Sequence, residues 1–448
     1  MVITEKITSV SRFFILILGL IQLFSNNSFA QNPHRGIYTS KVDTIVFNEM
    51  GADYLSYFNT HDGRIGTLRK INENLFSLGN INEKPDSTGK HDTATLQFSR
   101  DNKTIVIKNI QGKVMTYHKL TYTERYVSIP VGGNIILNAK LVIPNVAHQV
   151  PLVIVAHGSE LMTNDFYKES YLFASWGIAT LVFEKRGVGK STGEPGPDIF
   201  LQAEDIAEAA KFGAALPEVD GNKIGLWAFS QGGWVAPLAL IHQPLLHFAM
   251  ILSGPATTAF EEEIAGIDKS LRFYGYRDAD ISKATDLLSE IYLTVQHFDN
   301  WKNLDTLKNK YKGELWYPVM IKQSLISSYF LGDKAEYVKS HYKELVNANT
   351  YTHWCFYDPA RYISRIRVPV IWMYGSEDKS IPVESSVKIL NVLQLDYHNN
   401  SDIYLLKRVN HAAYIDEHTG VEDYAHVKFI SPEYLALMKG WLIKNGVL

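Results

Sequence analysis

Apolar and polar residues alternate in short segments near the beginning of the chain. Four segments place apolar side chains at every second position, and turn-forming residues such as Asp101-Asn102 separate them: 44–49, 93–99, 103–109 and 113–120. A period of two interrupted by turns predicts antiparallel strands. We therefore expect a small β-rich domain over residues 31–124.

The second part of the chain, residues 125–448, carries continuous apolar runs instead. Three runs of strand length are "PLVIVAHG" (151–158), "KIGLWAFS" (223–230) and "VPVIWMYG" (368–375), and residues 199–216 have helical periodicity. Apolar strands that alternate with helices are typical of a mostly parallel sheet covered on both faces. Such α/β sheets bind ligands at the carboxyl ends of their strands.

Between residues 256 and 355 this alternation stops. The segment is charged and aromatic, and stretches such as residues 281–298 have a helical pattern. A disordered linker is the alternative interpretation, but aromatic residues such as Trp301 and Trp316 bring apolar area that a packed structure can bury. We predict a helical lid inserted between two strands of the sheet.

The first 30 residues have the pattern of a signal peptide. Lys6 and Arg12 precede an apolar run at residues 13–24, and small residues at Ser28 and Ala30 place a cleavage site before residue 31. The run is short for a membrane span, which needs about 20 residues. We expect export to the periplasm or the medium and no stable membrane span after cleavage; an uncleaved anchor helix is the alternative.

Composition narrows the classes of partner. The chain has 448 residues and a formal net charge of −3, so no global positive field favours nucleic acid. Its single cysteine, Cys355, has no partner for an internal disulfide, and its apolar neighbours predict a buried thiol. The sequence of the β-rich domain has no cluster of His, Cys or carboxylate residues, so we predict no metal site there.

The stretch "AFSQGG" at residues 228–233 is close to the G-x-S-x-G motif of a nucleophile elbow. Ser230 stands where an apolar strand turns into a predicted helix, which is the context that this motif requires. Ala228 replaces the first glycine and adds only one methyl group. A helix-capping serine is the structural alternative.

A serine nucleophile needs a base and an acid, in the order Ser, acid, His for this architecture. His411 follows the last predicted strand, and His418 and His426 are the alternatives further along the same loop. Asp378 follows the strand that ends near residue 375, and Glu377 is its competitor. A turn aspartate bonded to its own backbone is the structural alternative for Asp378.

An oxyanion hole requires two backbone N–H groups. We predict one at Gln231, directly after the candidate nucleophile, and one at Ser159, in "AHGSE" after an early strand. His157 is interpreted as structural. The stretch "FEKRGVGKST" lacks the glycine spacing of a phosphate-binding loop, which argues against nucleotide binding.

Five stretches together resemble the α/β-hydrolase superfamily: "VIVAHGS", "VFEKRGVGKSTGE", "DGNKIGLWAFSQGGWVAPLA", "RVPVIWMYGSEDKSIP" and "NHAAYIDEHTG". The resemblance is strongest to secreted bacterial esterases, which are similar to prolyl-oligopeptidase-type and dienelactone-hydrolase-type proteins. It covers residues 125–448 apart from the lid. It implies Ser230 as nucleophile, Asp378 as acid and His411 as base, with Ser159 and Gln231 at the oxyanion positions.

The departures from the family pattern are Ala228 for the usual glycine and Ala412-Ala413 after the histidine, and neither removes a catalytic group. The predicted function is an exported serine hydrolase that cleaves carboxylic esters of short to medium acyl chain. It acts on a small-molecule substrate without metal or organic cofactor. The alternatives are a peptidase of prolyl-oligopeptidase type and a catalytically inactive binding protein.

Overall fold

The computed structural model describes residues 32–49, 55–79, 94–196, 198–297, 301–347, 352–397, 400–416 and 427–448. The predicted signal peptide lies outside the described residues, as do His418 and His426, the alternatives for the base. Within the described ranges, every helix is too short or too polar to cross a membrane.

Eight antiparallel strands form a closed barrel at the beginning of the described chain, and each strand pairs with its neighbour in sequence before β1 closes on β8. The four segments with alternating polarity contribute β2, β6, β7 and β8. The strands are β1 (Gly36–Thr39), β2 (Thr44–Glu49), β3 (Leu55–Asn59), β4 (Ile65–Lys70), β5 (Leu75–Gly79), β6 (Ala94–Phe98), β7 (Thr104–Asn109) and β8 (Val114–Lys119).

Aromatic side chains fill the barrel. Tyr38, Phe47 and Phe98 are almost completely buried, and their ring centroids lie 5.5 to 5.8 Å apart in edge-to-face pairs. In β6, buried and exposed residues alternate along the strand. Alternation is expected because successive side chains of a strand point to opposite faces. The barrel therefore has a core of its own.

The second sheet has eight strands in the order β16-β15-β14-β13-β11-β12-β10-β9. The strands β9 and β10 form an antiparallel hairpin, β10 is antiparallel to β12, and the other pairs are parallel. They are β9 (Tyr122–Pro130), β10 (Ile136–Pro144), β11 (Val150–Ala156), β12 (Ala179–Phe183), β13 (Val219–Phe229), β14 (Phe248–Leu252), β15 (Val370–Gly375) and β16 (Ser401–Leu406).

Helices cover both faces of this sheet. On one face, α1 (Glu169–Ser175) and α14 (Pro432–Lys444) share a buried cluster with barrel residues such as Ile37 and Val46. On the other face, α2 (Ile199–Ala214) and α3 (Gly232–His242) pack in a second cluster. The barrel is therefore joined to the sheet through a continuous apolar core.

Helices replace strands between β14 and β15, as the prediction of a helical lid requires. Their apolar residues join the cluster of α2 and α3, and Cys355 is buried among them. The helices are α4 (Ala259–Phe273), α5 (Asp278–His297), α6 (Trp301–Tyr311), α7 (Tyr317–Gln323), α8 (Leu325–Leu331), α9 (Ala335–Ser340), α10 (Tyr342–Asn347) and α11 (Thr352–Cys355), followed by α12 (Pro359–Ile363) and, after β15, α13 (Val383–Tyr397).

Candidate active site

Ser230 occupies a tight turn between β13 and α3. Its φ is +52°, in the left-handed region that non-glycine residues rarely adopt. The Ser230 N–H donates to Leu252 O (3.0 Å), and Ser230 O accepts from Gly233 N–H (2.7 Å). A rare backbone conformation held by the surrounding structure is a common feature of functional sites.

The turn leaves little room for side chains. A Cβ added at Gly232 would lie 2.3 Å from Ala156 O, so a larger residue there would push β11 away. Ala228, where the motif usually has glycine, is completely buried in β13 between β11 and β14. The turn therefore accommodates the methyl group of Ala228, two residues before Ser230. It leaves no room for a Cβ at Gly232, two residues after Ser230.

His411 lies in the loop that follows β16, beside the turn of Ser230. Its ring centroid is 5.0 Å from that of Phe229, and its backbone oxygen accepts from Ser253 Oγ (2.8 Å), directly after β14. His411 Nδ1 and Asp378 Oδ2 are 2.9 Å apart, and both side chains are buried. The loops after β13, β15 and β16 thus bring Ser230, Asp378 and His411 to one edge of the sheet.

Asp378 uses its two carboxylate oxygens differently. Oδ1 accepts from the backbone N–H groups of Ser380 (2.9 Å) and Ile381 (3.2 Å), while Oδ2 faces the histidine. The turn bonds expected of the structural alternative are present, and they fix the carboxylate that contacts His411, while the role of Asp378 as acid stays a prediction. Glu377 points elsewhere and pairs with Lys379 (3.3 Å).

The predicted oxyanion residues lie on adjoining segments. Ser159 is exposed after β11, and Gln231 directly precedes α3, whose Gly232 abuts the end of β11. The N–H of Gly158 already donates to Glu160 Oε1 (3.1 Å). The Gly158 N–H is therefore already used within its own loop, and the next backbone N–H along that loop belongs to Ser159.

One residue that the sequence did not single out contacts both of these segments. Lys185, in the loop after β12, is only 8% exposed. Its Nζ donates to Gly158 O and lies 3.3 Å from Gln231 Oε1. No role is predicted from the sequence for the lysine of "EKRG", and its signal in the sequence is a lysine shortly after an apolar strand.

Two carboxyl groups of α4, the first helix of the lid, are also not singled out by the sequence. Burial, and then repulsion from Glu263, raise the pKa of Glu262 to about 8, while His411 acts in the opposite direction. Glu263 Oε1 accepts from Leu325 N (3.0 Å) at the start of α8, and burial raises the pKa of Glu263 to about 7. In the sequence these two residues belong to the run "EEE" at 261–263, which looks like the solvent-exposed first turn of an ordinary helix.

His157 is buried next to the loop that carries Ser159, as its structural interpretation implies. Its Nε2 contacts Phe183 O, and burial, followed by the charge of Lys185, lowers its pKa to about 3. A neutral ring in this position supports the loop without carrying charge. Across the part of the chain that the structure describes, no three His, Cys, Asp or Glu side chains are arranged to hold a metal ion.

A family model described as "Serine aminopeptidase, S33" matches residues 147–275, which contain β11 to β14 and the beginning of the lid. The chain is 35% identical over 121 residues to Polyketide transferase claH of Penicillium crustosum, covering 27% of this chain and 37% of that protein. It is 29% identical over 133 residues to Thiohydrolase apmlB of Arthrinium phaeospermum, covering 29% and 43%. The chain thus spans about two fifths of the length of these relatives.

Among solved structures, the chain resembles the Pyrococcus furiosus esterase Pf2001 with a TM-score of 0.43 and 14% identity, over 72% of this chain and 90% of that one. The family match covers residues 147–275, and over this range the chain resembles the α/β hydrolases. The sheet has the α/β-hydrolase fold, with a barrel before it and helices inserted between β14 and β15.

Proposed function

We propose that this protein is a serine hydrolase that cleaves carboxylic esters of short to medium acyl chain. The observation that carries the proposal is the 2.9 Å contact between His411 Nδ1 and Asp378 Oδ2, at the same sheet edge as Ser230 in its left-handed turn. An imidazole whose Nδ1–H donates to a buried carboxylate is in the tautomer whose Nε2 can accept a proton.

In the proposed reaction, Ser230 Oγ attacks the acyl carbonyl carbon and its proton passes to His411 Nε2. The tetrahedral oxyanion accepts hydrogen bonds from the N–H groups of Ser159 and Gln231. As the ester bond breaks, His411 returns the proton to the leaving alcohol, leaving an acyl-Ser230 ester. Water then gives its proton to His411, attacks the acyl carbon and releases the acid, after which Ser230 regains its proton.

Hydrolysis of p-nitrophenyl acetate and butyrate by Ser230→Ala tests the proposal. The kcat is expected to fall by about 10³-fold or more, because the acyl-enzyme no longer forms. Ser282→Ala, a substitution of an exposed serine on α5, serves as the matched control and should retain the wild-type rate. Equal rates for Ser230→Ala and the wild type would reject the nucleophile. A wild type without hydrolytic activity would instead favour the inactive binding protein.

Amide hydrolysis is the second candidate function, and one observation favours it. The family model that matches residues 147–275 is described as a serine aminopeptidase. The carboxyl of Glu262, near His411, would be a suitable partner for a substrate amino group when ionised. A panel of aminoacyl and prolyl p-nitroanilides, compared with the p-nitrophenyl esters and a thioester, ranks the candidates. Faster amide than ester turnover would reverse our order.

We further propose that the protein is exported and begins at residue 31 after cleavage. The support is the charged, apolar and small-residue pattern of residues 1–30. The intact mass of the protein recovered from its native host decides this point. A mass that includes the first 30 residues would instead favour the anchor helix.

A further inference from the structure

The "EKRG" loop after β12 plays no part in the proposed chemistry, yet its lysine is buried at the candidate active site. Lys185 Nζ donates to Gly158 O and lies 3.3 Å from Gln231 Oε1. A buried ammonium group needs such partners, because loss of hydration is costly unless hydrogen bonds replace it. Both partners belong to the two segments that carry the predicted oxyanion donors.

The contact with Gly158 O has a direct consequence for Ser159. The carbonyl of Gly158 and the N–H of Ser159 belong to the same peptide unit, which is planar and trans. In such a unit the C=O and N–H bonds point in opposite directions. Holding Gly158 O toward Lys185 therefore aims the Ser159 N–H away from it. A cation on the carbonyl also polarises the peptide and strengthens the N–H as a donor.

The other side of this loop is held as well. Glu160 Oε1 accepts from Gly158 N–H (3.1 Å) and from Tyr167 OH. A Cβ at Gly158 would lie 2.2 Å from Glu160 Oε2 and 3.1 Å from the Phe229 ring, so the glycine permits this close arrangement. Gly158 is thus bound through its N–H to Glu160 and through its carbonyl to Lys185, which leaves the following peptide N–H with a fixed direction.

We propose that Lys185 is a positioning residue of the oxyanion hole, which orients the Ser159 N–H through the Gly158 carbonyl and holds the Gln231 side chain at the nucleophile turn. The inference rests on the proposed function. It assigns a role that a merely space-filling lysine would not have. A buried lysine that only filled space would affect folding, whereas a positioning lysine affects the stabilisation of the oxyanion.

The charges around Lys185 define its pH behaviour. Burial lowers the pKa of Lys185 to about 8, and the nearby carboxylate of Glu160 acts in the opposite direction. His157, directly after β11, faces it as a neutral ring, and Asp205 on α2 is occupied by Arg186 (2.7 Å). Lys185 is charged below its pKa, so its contribution is present at neutral pH and declines as the pH rises through about 8.

The test compares Lys185→Met, which keeps the length of the side chain but removes its donors, with Lys185→Arg, which restores a cationic donor. For Lys185→Met we expect kcat for p-nitrophenyl butyrate to fall by about 10- to 100-fold, with KM changed less than about threefold. An alkylboronic acid forms a tetrahedral adduct with a catalytic serine, and its affinity should fall in parallel with kcat. Lys185→Arg should recover part of both losses. Lys190→Met, at an exposed position in the same loop, is the control.

The pH profile of kcat is a second readout for the wild type and the two variants. The wild-type kcat should decline above pH about 8, this decline should be absent in Lys185→Met, and Lys185→Arg should move it to higher pH. A wild-type kcat that stays level from neutral pH to about pH 10 would contradict the inference. So would a Lys185→Met enzyme with wild-type kcat and boronate affinity while Ser230→Ala is inactive. Activity retained by Ser230→Ala would instead reject the proposed function itself.

Discussion

The barrel and the eight-stranded sheet differ in how they use neighbouring strands. In the barrel every strand pairs with the next one in sequence, and tight turns such as that at Gly112 join them. In the sheet, β12 lies between β11 and β10, and β13 lies beside β11. Parallel strands bring their carboxyl ends to one edge, whereas antiparallel hairpins distribute their turns over both ends. All the candidate catalytic residues accordingly come from the sheet.

The barrel nevertheless contacts the loops that carry those residues. Asn48 Nδ2 donates to Asp165 O (3.1 Å), in the segment that follows Ser159. Ile430 N donates to Gly63 O (2.8 Å), and Ser431 N donates to Ala413 O (2.8 Å), two residues after His411. The sheet thus carries the candidate reactive groups, while the barrel contacts the loops that support them.

The largest expected effect is a loss of kcat, caused by a substitution in a loop of the sheet. Asp378→Asn should lower kcat by about 10³- to 10⁴-fold, because an amide at this position favours the wrong tautomer of His411. Thermal stability should change little, since the turn bonds to Ser380 and Ile381 use Oδ1. Glu377→Gln is the matched control and should keep its activity. If Glu377→Gln were the inactive variant, the acid would have to be reassigned.

A smaller effect is expected where the barrel contacts the sheet domain. Gly63 has a φ of +74°, and a Cβ there would lie 1.9 Å from Ile430 O. Gly112 has a φ of +80° with open space around it. Both alanine variants bear a backbone cost of about 1–2 kcal/mol, but Gly63→Ala must also displace the segment at Ile430.

We therefore expect Gly63→Ala to have a lower Tm than Gly112→Ala and a kcat reduced by severalfold, with no loss of kcat in Gly112→Ala. Calorimetry and p-nitrophenyl butyrate hydrolysis measure the two quantities. Equal Tm and kcat in the two variants would show that the barrel does not brace the His411 loop.

The smallest expected effect is a pH-dependent change in Tm that arises from a buried carboxyl group. At the contact between the barrel and the sheet domain, Arg35 is paired with Glu124, whereas Glu262 Oε2 on the lid helix α4 is buried without a hydrogen-bond partner. The pKa of Glu262 is raised from 4.5 to about 8, so the folded protein binds this proton more tightly than the unfolded chain. The cost of ionisation therefore grows, and stability is lost, as the pH rises from about 4.5 to about 8.

Glu262→Gln removes that cost. Its Tm relative to the wild type should rise with pH across this window, by about 1–3 °C at the alkaline end. Glu336→Gln, an exposed glutamate of α9, should show a difference from the wild type that does not vary with pH. A Tm difference for Glu262→Gln that is the same at pH 5 and pH 9 would contradict the assignment.

Much of the architecture could be predicted from periodicity. The apolar runs at 151–158, 223–230 and 368–375 became β11, β13 and β15, because a strand covered on both faces must be apolar throughout. In the barrel, β1, β3, β4 and β5 were not predicted. Their buried residues are adjacent as often as alternating, as in β5, so the period of two is weak there. Closure into a barrel has no signal in any single strand.

The candidate site could be predicted only in part. Ser230 and its neighbours are contiguous in sequence, and the order Ser, Asp, His narrowed the choice of partners. Lys185 and Glu262 could not be predicted, because their importance depends on their burial and on the groups that surround them in the folded protein. A lysine after a strand and a glutamate in a first helical turn are both ordinary in sequence.

The class of fold, the turn at Ser230 and the short set of candidates for acid and base can be predicted from sequence, because they depend on local patterns of apolar and small residues. The tertiary structure is needed to show which carboxylate contacts His411, which lysine contacts the segments with the predicted oxyanion donors, and where the barrel attaches. Asp378 and His411 are 33 positions apart in the sequence, and Gly158 and Lys185 are 27 positions apart. Asn48 and Asp165 are more than 100 positions apart. Pairing over such distances is set by strand order and packing, which no local pattern encodes.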